Sequence, residues 1–168
     1  GQLVTIYDPA CGSGGMLSAA KEFIEEKINP NARVVLYGQE VNDKTWAVAQ
    51  ADLLLKGETA YITKGDTLYE DGAAGEQFDF MLSNPPYGKS WKNDLERLGG
   101  KEGIRDGRFV ISHAGDGEYS LVTRSSDGQM LFLANLLSRM KHDTPMGSRI
   151  AEVHNGSSLF TGDAGQGE

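Results

Sequence analysis

The chain has 168 residues, a net charge of −8, 22 glycines and one cysteine. That length buries the core of one domain. The lone Cys11 excludes a disulfide framework or a cysteine metal site, and the acidic balance argues against autonomous nucleic-acid binding, which needs clustered Lys and Arg. No signal peptide, no apolar run long enough to span a bilayer and no repeat of fixed period is visible. A lone cysteine fits a cytoplasmic protein.

Leu3 to Tyr7 reads as a first strand, rich in β-branched residues. It runs into Asp8-Pro9-Ala10-Cys11-Gly12-Ser13-Gly14-Gly15, and a helix is predicted from Gly15 to Lys27 with Met16, Ala19, Ala20, Phe23 and Ile24 on one face. Arg33 to Gly38 is a second strand that delivers Gln39 and Glu40 at its end. Asn42 or Asp43 then caps a helix with Trp46, Ala49 and Leu53 at helical spacing, closed by Gly57. Ala60 to Thr63 is a third strand leading to Gly65-Asp66-Thr67, and Phe78 to Leu82 is a fourth. The alternation predicts an α/β fold, a doubly wound and mostly parallel sheet with right-handed crossovers.

After the fourth strand the pattern fails. Residues 89–124 carry many glycines and little periodicity, and a structureless stretch of that length is usually functional or disordered. We expect a mobile loop over 89–125. It holds seven basic and six acidic residues, against nine and eighteen in the rest of the chain. Ser126-Asp127-Gly128-Gln129 matches a capping box, and the helix behind it should bury Met130, Leu133, Leu137 and Met140. Ser148 to Val153 reads as a fifth strand.

Asn84-Pro85-Pro86-Tyr87-Gly88 follows the fourth strand. Two prolines cannot donate to a sheet ladder, so the strand stops there. The corner offers carbonyl oxygens from Asn84 and Pro85 and an aromatic face from Tyr87. It is built to hold a planar group bearing an NH2, at the carboxyl end of a strand where open α/β sheets bind ligands. The Asp8–Gly15 turn lets backbone N–H groups approach an anionic ligand. It lacks the third glycine of the dinucleotide fingerprint, since Leu17 stands there, and lacks the Gly-Lys-Ser/Thr of a P-loop; a ligand with a carboxylate suits it. Glu40 can accept the hydroxyls of a ribose, and Asp66 can accept from an adenine amine. Each acid alone would pass for a surface group; together with the turn and the corner they point to one crevice. Cys11 reads as a small buried residue of the turn, Trp46 as core or helix face, and Trp91 as either a partner contact or local packing. His113, His142 and His154 show no metal spacing.

Asp8 to Gly15 together with Asn84 to Tyr87 resembles the S-adenosylmethionine-dependent amino-methyltransferases, and among them the N6-adenine DNA methyltransferases. Gly38-Gln39-Glu40, Ser125 to Gln129, Gly147 to Ala151 and Leu159 to Gly165 resemble the modification subunit of type I restriction–modification systems. The resemblance covers nearly the whole chain. It implies a Rossmann-like methyltransferase core over 1–168, with S-adenosylmethionine bound by Asp8 to Gly15, Glu40, Asp66 and Asn84. It also implies catalysis by Asn84, Pro85, Pro86 and Tyr87, acting on N6 of an adenine flipped out of DNA. The partners it implies are DNA, read by a separate specificity subunit, and the specificity and restriction subunits of the complex, with no membrane role.

That family carries a helical domain before the first strand and further strands after the equivalent of Gly165. The chain is therefore expected to be a catalytic-core fragment, incomplete at both ends and inactive alone. Glu152 and His154 depart from the family's apolar fifth strand. Two alternatives stand beside this reading. Protein glutamine N5-methyltransferases share the Asn-Pro-Pro-Tyr corner, because a side-chain amide presents the same NH2. A non-catalytic fragment that only binds cofactor or a partner is the other.

Overall fold

In the computed structural model the described residues are 1–100, 103–113, 116–123, 125, 128–145 and 147–156. Runs of Val, Ile, Leu and Tyr, favoured on pleated and buried surfaces, form the main sheet. Its strands are β1 (Leu3–Asp8), β2 (Arg33–Glu40), β3 (Ala60–Lys64), β4 (Phe80–Ser83) and, after a separate hairpin, β7 (Arg149–Glu152). Their order is β3-β2-β1-β4-β7 and all four pairings are parallel. This is the doubly wound sheet the sequence predicts. The chain winds outward from β1 through β2 to β3, then returns to the other side of β1 as β4. The switch point therefore lies between β1 and β4, whose carboxyl ends lead into Asp8-Pro9 and Asn84-Pro85. No cis peptide bond occurs among the described residues, so both corner prolines follow trans bonds.

Helices α1 (Gly15–Phe23) and α2 (Asp43–Leu55) cover one face. The Asn42 carboxamide caps α2, accepting from the N–H groups of Lys44 and Thr45 at 3.1 and 3.0 Å. Ile6, Leu36 and Ile62 from three strands meet Leu17 of α1 and Ala49 and Leu53 of α2 in a continuous core. Trp46 packs against this core and donates its indole N–H to the Ile62 carbonyl at 2.9 Å. In α1 the buried face is Leu17, with Ala20 and Ile24 packed beside it, whereas Met16 and Phe23 are exposed. The predicted face was rotated because apolar residues occur on both sides of this helix. Its final turn also widens to π-type geometry over Ile24–Ile28.

The opposite face carries α4 (Gln129–Ser138). Here the expected helix face is corrected. Leu137 is exposed, and Met130, Leu133 and Met140 are only partly buried, while Leu131, Phe132, Ala134, Asn135 and Leu136 are buried. The helix is apolar nearly all round because it packs on two sides. Leu136 meets Tyr7, Phe78 and Met81 of the sheet, while Leu131, Phe132 and Ala134 meet residues that follow the corner. The predicted capping box rests on residues outside the described ones. The helix starts at Gln129 with Gly128 as its N-cap, without side-chain capping, and Ser126 and Asp127 lie outside the described residues. Gln129 accepts from the Asn155 N–H at 2.9 Å, a tertiary bond.

Residues 89–125 are not structureless. They contain α3 (Lys92–Arg97) and a hairpin of β5 (Val110–His113) and β6 (Asp116–Ser120). Trp91, Ile104 and Phe109 are buried against Leu68 and α4 in a second core. Local packing thus accounts for Trp91. These anchors are too widely spaced to give a period, which hid them from a pattern reading.

A buried polar hub joins the layers. Arg108, 5% exposed, donates to the Thr67 carbonyl at 2.6 Å, to Asn135 Oδ1 at 3.1 Å and to the Asp106 carboxylate at 2.6–3.1 Å. Asn135 in turn donates to the Tyr7 hydroxyl at 3.4 Å, and Arg139 pairs with Asp71. A buried guanidinium is tolerated only because its donors are paired. Arg108→Met would strand Asp106, Asn135 and the Thr67 carbonyl. It should cost about 3–5 kcal/mol of stability in urea denaturation; a loss below about 1 kcal/mol would show that the hub is dispensable.

Candidate functional site

The carboxyl ends of β1 to β4 enclose a cavity of about 280 Å³. Its first wall is the turn after β1. Gly14 adopts the left-handed conformation (φ 84°) that caps α1, which a residue with a Cβ would occupy only under strain. The turn lies hard against β2: a Cβ on Gly38 would stand 2.9 Å from Cys11 Sγ. The Cys11 N–H donates to the Gln39 carbonyl at 3.0 Å and the Gly12 N–H to Glu40 Oε2 at 3.1 Å. Cys11 is buried, and burial pushes its thiol up to about 12, with Asp8 and Glu40 adding to the rise. It is a packing residue.

Glu40 closes β2. Its Oε1 accepts from the Asn42 N–H at 2.7 Å and its Oε2 from Gly12, so both oxygens are held in place with lone pairs to spare. Asp66 follows β3 and accepts from the Leu68 N–H at 3.0 Å. The neighbouring Thr67 hydroxyl donates to the Pro9 carbonyl, tying the β3 end to the β1 turn. Asn84 follows β4 and accepts from the Tyr87 hydroxyl, which fixes the direction of its side-chain oxygen.

Of the residues the sequence singled out, Pro9, Ala10, Glu40, Asp66, Asn84 and Pro86 line this one cavity. Asp8, Cys11, Gly12, Ser13, Gly14, Gly15, Pro85 and Tyr87 do not. Asp8 and Cys11 are buried behind the turn, Pro85 is buried behind the corner, and the Tyr87 ring is 43% exposed. Pattern reading missed Leu68, Trp91 and Phe132, which form the apolar wall, and the charged pair Lys89 and Asp94. Val41, directly after Glu40, and Leu68, two residues after Asp66, were the available signal. Asp94 reaches the cavity only through the docking of α3. Burial raises its carboxyl above its ordinary value and Asp66 adds to this, while Arg97 and Lys89 oppose it. The cavity thus presents three carboxylates, Glu40, Asp66 and Asp94, against one ammonium. Such a lining suits a ligand rich in N–H and O–H donors, or a cationic one, and disfavours a polyphosphate. Among the described residues no cluster of three or more His, Cys, Asp or Glu could hold a metal ion.

The sequence as a whole matches the family model of the N-6 DNA methylases over residues 2–166. The chain belongs to the N-6 DNA methylase family. Among curated proteins it is 30% identical over 86 residues to the type I restriction enzyme MjaIX methylase subunit of Methanocaldococcus jannaschii, covering 51% of this chain and 15% of that one. It is 32% identical over 92 residues to the HindI methylase subunit of Haemophilus influenzae, covering 53% of this chain and 21% of that one. Among solved structures, the type I restriction–modification system methyltransferase subunit from Streptococcus thermophilus superposes on 97% of this chain with a TM-score of 0.71 and 30% identity. The chain spans only 32% of that subunit. No helix among the described residues is long and apolar enough to cross a membrane.

The turn residue Asp8 gives a pH signature. Burial pushes its carboxyl up to about 7; the Ala10 N–H draws it back and Glu40 adds to the rise. The folded chain therefore keeps a proton that the unfolded chain loses near the ordinary value of 3.8. Stability from the neutral form is full below that value and is lost as pH rises toward 7, by on the order of 4 kcal/mol. Asp8→Asn cannot ionise, so its stability relative to wild type should climb from about pH 4 to 7 and then level, read from urea midpoints across that range. Parallel profiles for the two proteins would contradict the assignment.

Proposed function

We propose that this chain is the cofactor-binding and catalytic core of a modification subunit, which transfers a methyl group from S-adenosylmethionine to N6 of adenine in DNA. The observation that carries the reading is the convergence, at one sheet edge, of Glu40 and Asp66 behind the second and third strands with the Asn84 corner behind the fourth. Membership of the N-6 DNA methylase family and the likeness to type I methylase subunits support the same chemistry.

The residues fit the cofactor. Glu40, its oxygens already aligned by Gly12 and Asn42, would accept from the ribose hydroxyls. Asp66 would accept from the adenine amine, beside the apolar Leu68 and Phe132. The Asp8–Gly15 turn and Asn84 would face the amino-acid end. When bound, S-adenosylmethionine supplies a methyl group on a sulfonium centre.

Everything else falls to the protein. The exocyclic amine of adenine is a poor nucleophile because its lone pair is conjugated into the ring. Asn84 Oδ1 and the Pro85 carbonyl would accept its two N–H bonds, localising the lone pair and aiming it at the methyl group. Alignment of this kind is worth roughly 7–11 kcal/mol. No strong base is needed before attack, since the amine becomes acidic only once alkylated. Tyr87, exposed at the mouth, would stack on the flipped base and return about 1–3 kcal/mol of the unstacking cost. Residues 89–125 would close over that base. The DNA itself would be read by a specificity subunit, in the cytoplasm, within a complex that also holds a restriction subunit.

Two measurements test this. Glu40→Ala should weaken S-adenosylmethionine binding in calorimetry by more than about tenfold, since each hydrogen bond to a charged acceptor is worth roughly 1.5–3 kcal/mol; unchanged affinity would remove Glu40 from the site. In a complete modification subunit assembled with its specificity subunit, Asn84→Ala should cut methyl transfer to DNA by on the order of 10²-fold or more while leaving assembly intact. Wild-type rates in that variant would overturn the mechanism. The 168-residue chain, with a net charge of −8, should methylate DNA undetectably by itself.

A further inference from the structure

A second cavity, of about 320 Å³, lies on the sheet face opposite α1 and α2 and shares no lining residue with the first. Parallel register places Tyr7, Tyr37 and Tyr61 side by side across β1, β2 and β3. Their neighbours Ile6, Leu36 and Ile62 point into the core beneath α1 and α2, so strand alternation turns the three tyrosines to the other face. The Tyr37 and Tyr61 ring centroids are 5.3 Å apart and inclined by 31°. Phe78 backs Tyr37 at 5.0 Å and stacks on Tyr7 at 4.6 Å, which fixes the inner rings.

The facing wall is the turn between β3 and β4. Gln39 clamps it to the sheet, donating to the Glu70 carbonyl at 2.9 Å and accepting from the Gly72 N–H at 3.2 Å. The wall residues Gly72, Ala73 and Ala74 are small and leave the space open. Glu76 is the one charged residue lining it, and it has no ion-pair partner among the described residues. Burial raises the Tyr37 hydroxyl above its ordinary value, and Glu76 and Tyr61 add to the rise, so the carboxylate and both phenols act on one space.

We propose that this cavity binds a guanidinium group, with its plane on the Tyr37 and Tyr61 rings and its N–H fork on the Glu76 carboxylate. An anion would be repelled by the carboxylate and by the negative faces of the rings. A neutral ligand would leave the carboxylate uncompensated. A guanidinium is planar, weakly hydrated and stacks on aromatic faces, which an ammonium does less well. The site is independent of methyl transfer, because it lies behind the strands that carry the first cavity.

The test is an NMR titration of the 168-residue chain carrying ring-labelled tyrosine. Methylguanidinium chloride is the probe, with the neutral isostere methylurea and with sodium chloride of equal ionic strength as controls. Methylguanidinium should shift the Tyr37 and Tyr61 ring signals saturably, and neither control should. Glu76→Gln should weaken the binding at least ~5-fold and Tyr61→Leu should abolish it; both side chains are exposed, so both variants keep the wild-type thermal midpoint. A non-saturating response, an equal response to methylurea, or full binding by Glu76→Gln would overturn the proposal.

Discussion

The Arg108 guanidinium is the contact through which the separate parts of this molecule become one site. It lies in a segment outside the five-stranded sheet, yet it reaches the Thr67 carbonyl in the turn after β3 and Asn135 on α4. Thr67 in turn holds the Pro9 carbonyl of the β1 turn, and Asn135 reaches the Tyr7 hydroxyl near the carboxyl end of β1. Burial pushes that hydroxyl up to about 12, so it remains a neutral donor and acceptor at any physiological pH. The wall of the cavity formed by Trp91, Leu68 and Phe132 stands where it does because these bonds dock residues 89–125 against α4. An apolar core alone would permit sliding; a buried charge that must find all its acceptors does not.

Strand order does the rest of the positioning. Because β1 to β4 all run parallel, with β1 between β2 and β4, their carboxyl ends open on the same side of the sheet. The acids there are not free to swing. Glu40 is fixed by two backbone N–H groups and Asp66 by one. Asp79 does similar work inside the sheet. Burial alone would raise its carboxyl, but hydrogen bonds from Lys141 and Thr5 hold it below its ordinary value and tie β1 to the start of β4. Glu152, the last residue of β7, and His154, two residues beyond it, break the apolar pattern but lie 2.9 Å apart as an ion pair when His154 is protonated.

What could be read from sequence divides along physical lines. β1, β2 and β3 were legible because branched and aromatic residues run unbroken between turn residues. α2 was legible because Asn42 caps it and Trp46, Ala49 and Leu53 keep one face. That Glu40, Asp66 and Asn84 line one cavity was legible because Glu40 ends its strand and the other two follow theirs by two residues and one. The buried face of α4 was not, since apolar residues surround it and only tertiary packing selects Leu131 and Leu136 over Leu137. Gln129 also accepts from Asn155, a partner 26 positions away that no local rule reveals. Asp94 and Lys89 enter the cavity through the docking of α3, and Trp91, Ile104 and Phe109 dock it without any period. The opposite face of the sheet was equally silent: a tyrosine in each of three strands becomes a row only once the register is known.

The central claim is that one cavity serves a nucleoside cofactor on its inner side and a substrate amine at the Asn84 corner. A crystal structure of the chain with sinefungin, a stable analogue of S-adenosylmethionine, tests it most directly. The account predicts the ribose hydroxyls on the Glu40 carboxylate, the adenine amine at Asp66, and the analogue's amine group within reach of Asn84 Oδ1. A nucleoside seated elsewhere, or one bound here with Glu40 and Asp66 turned away from it, would contradict the account.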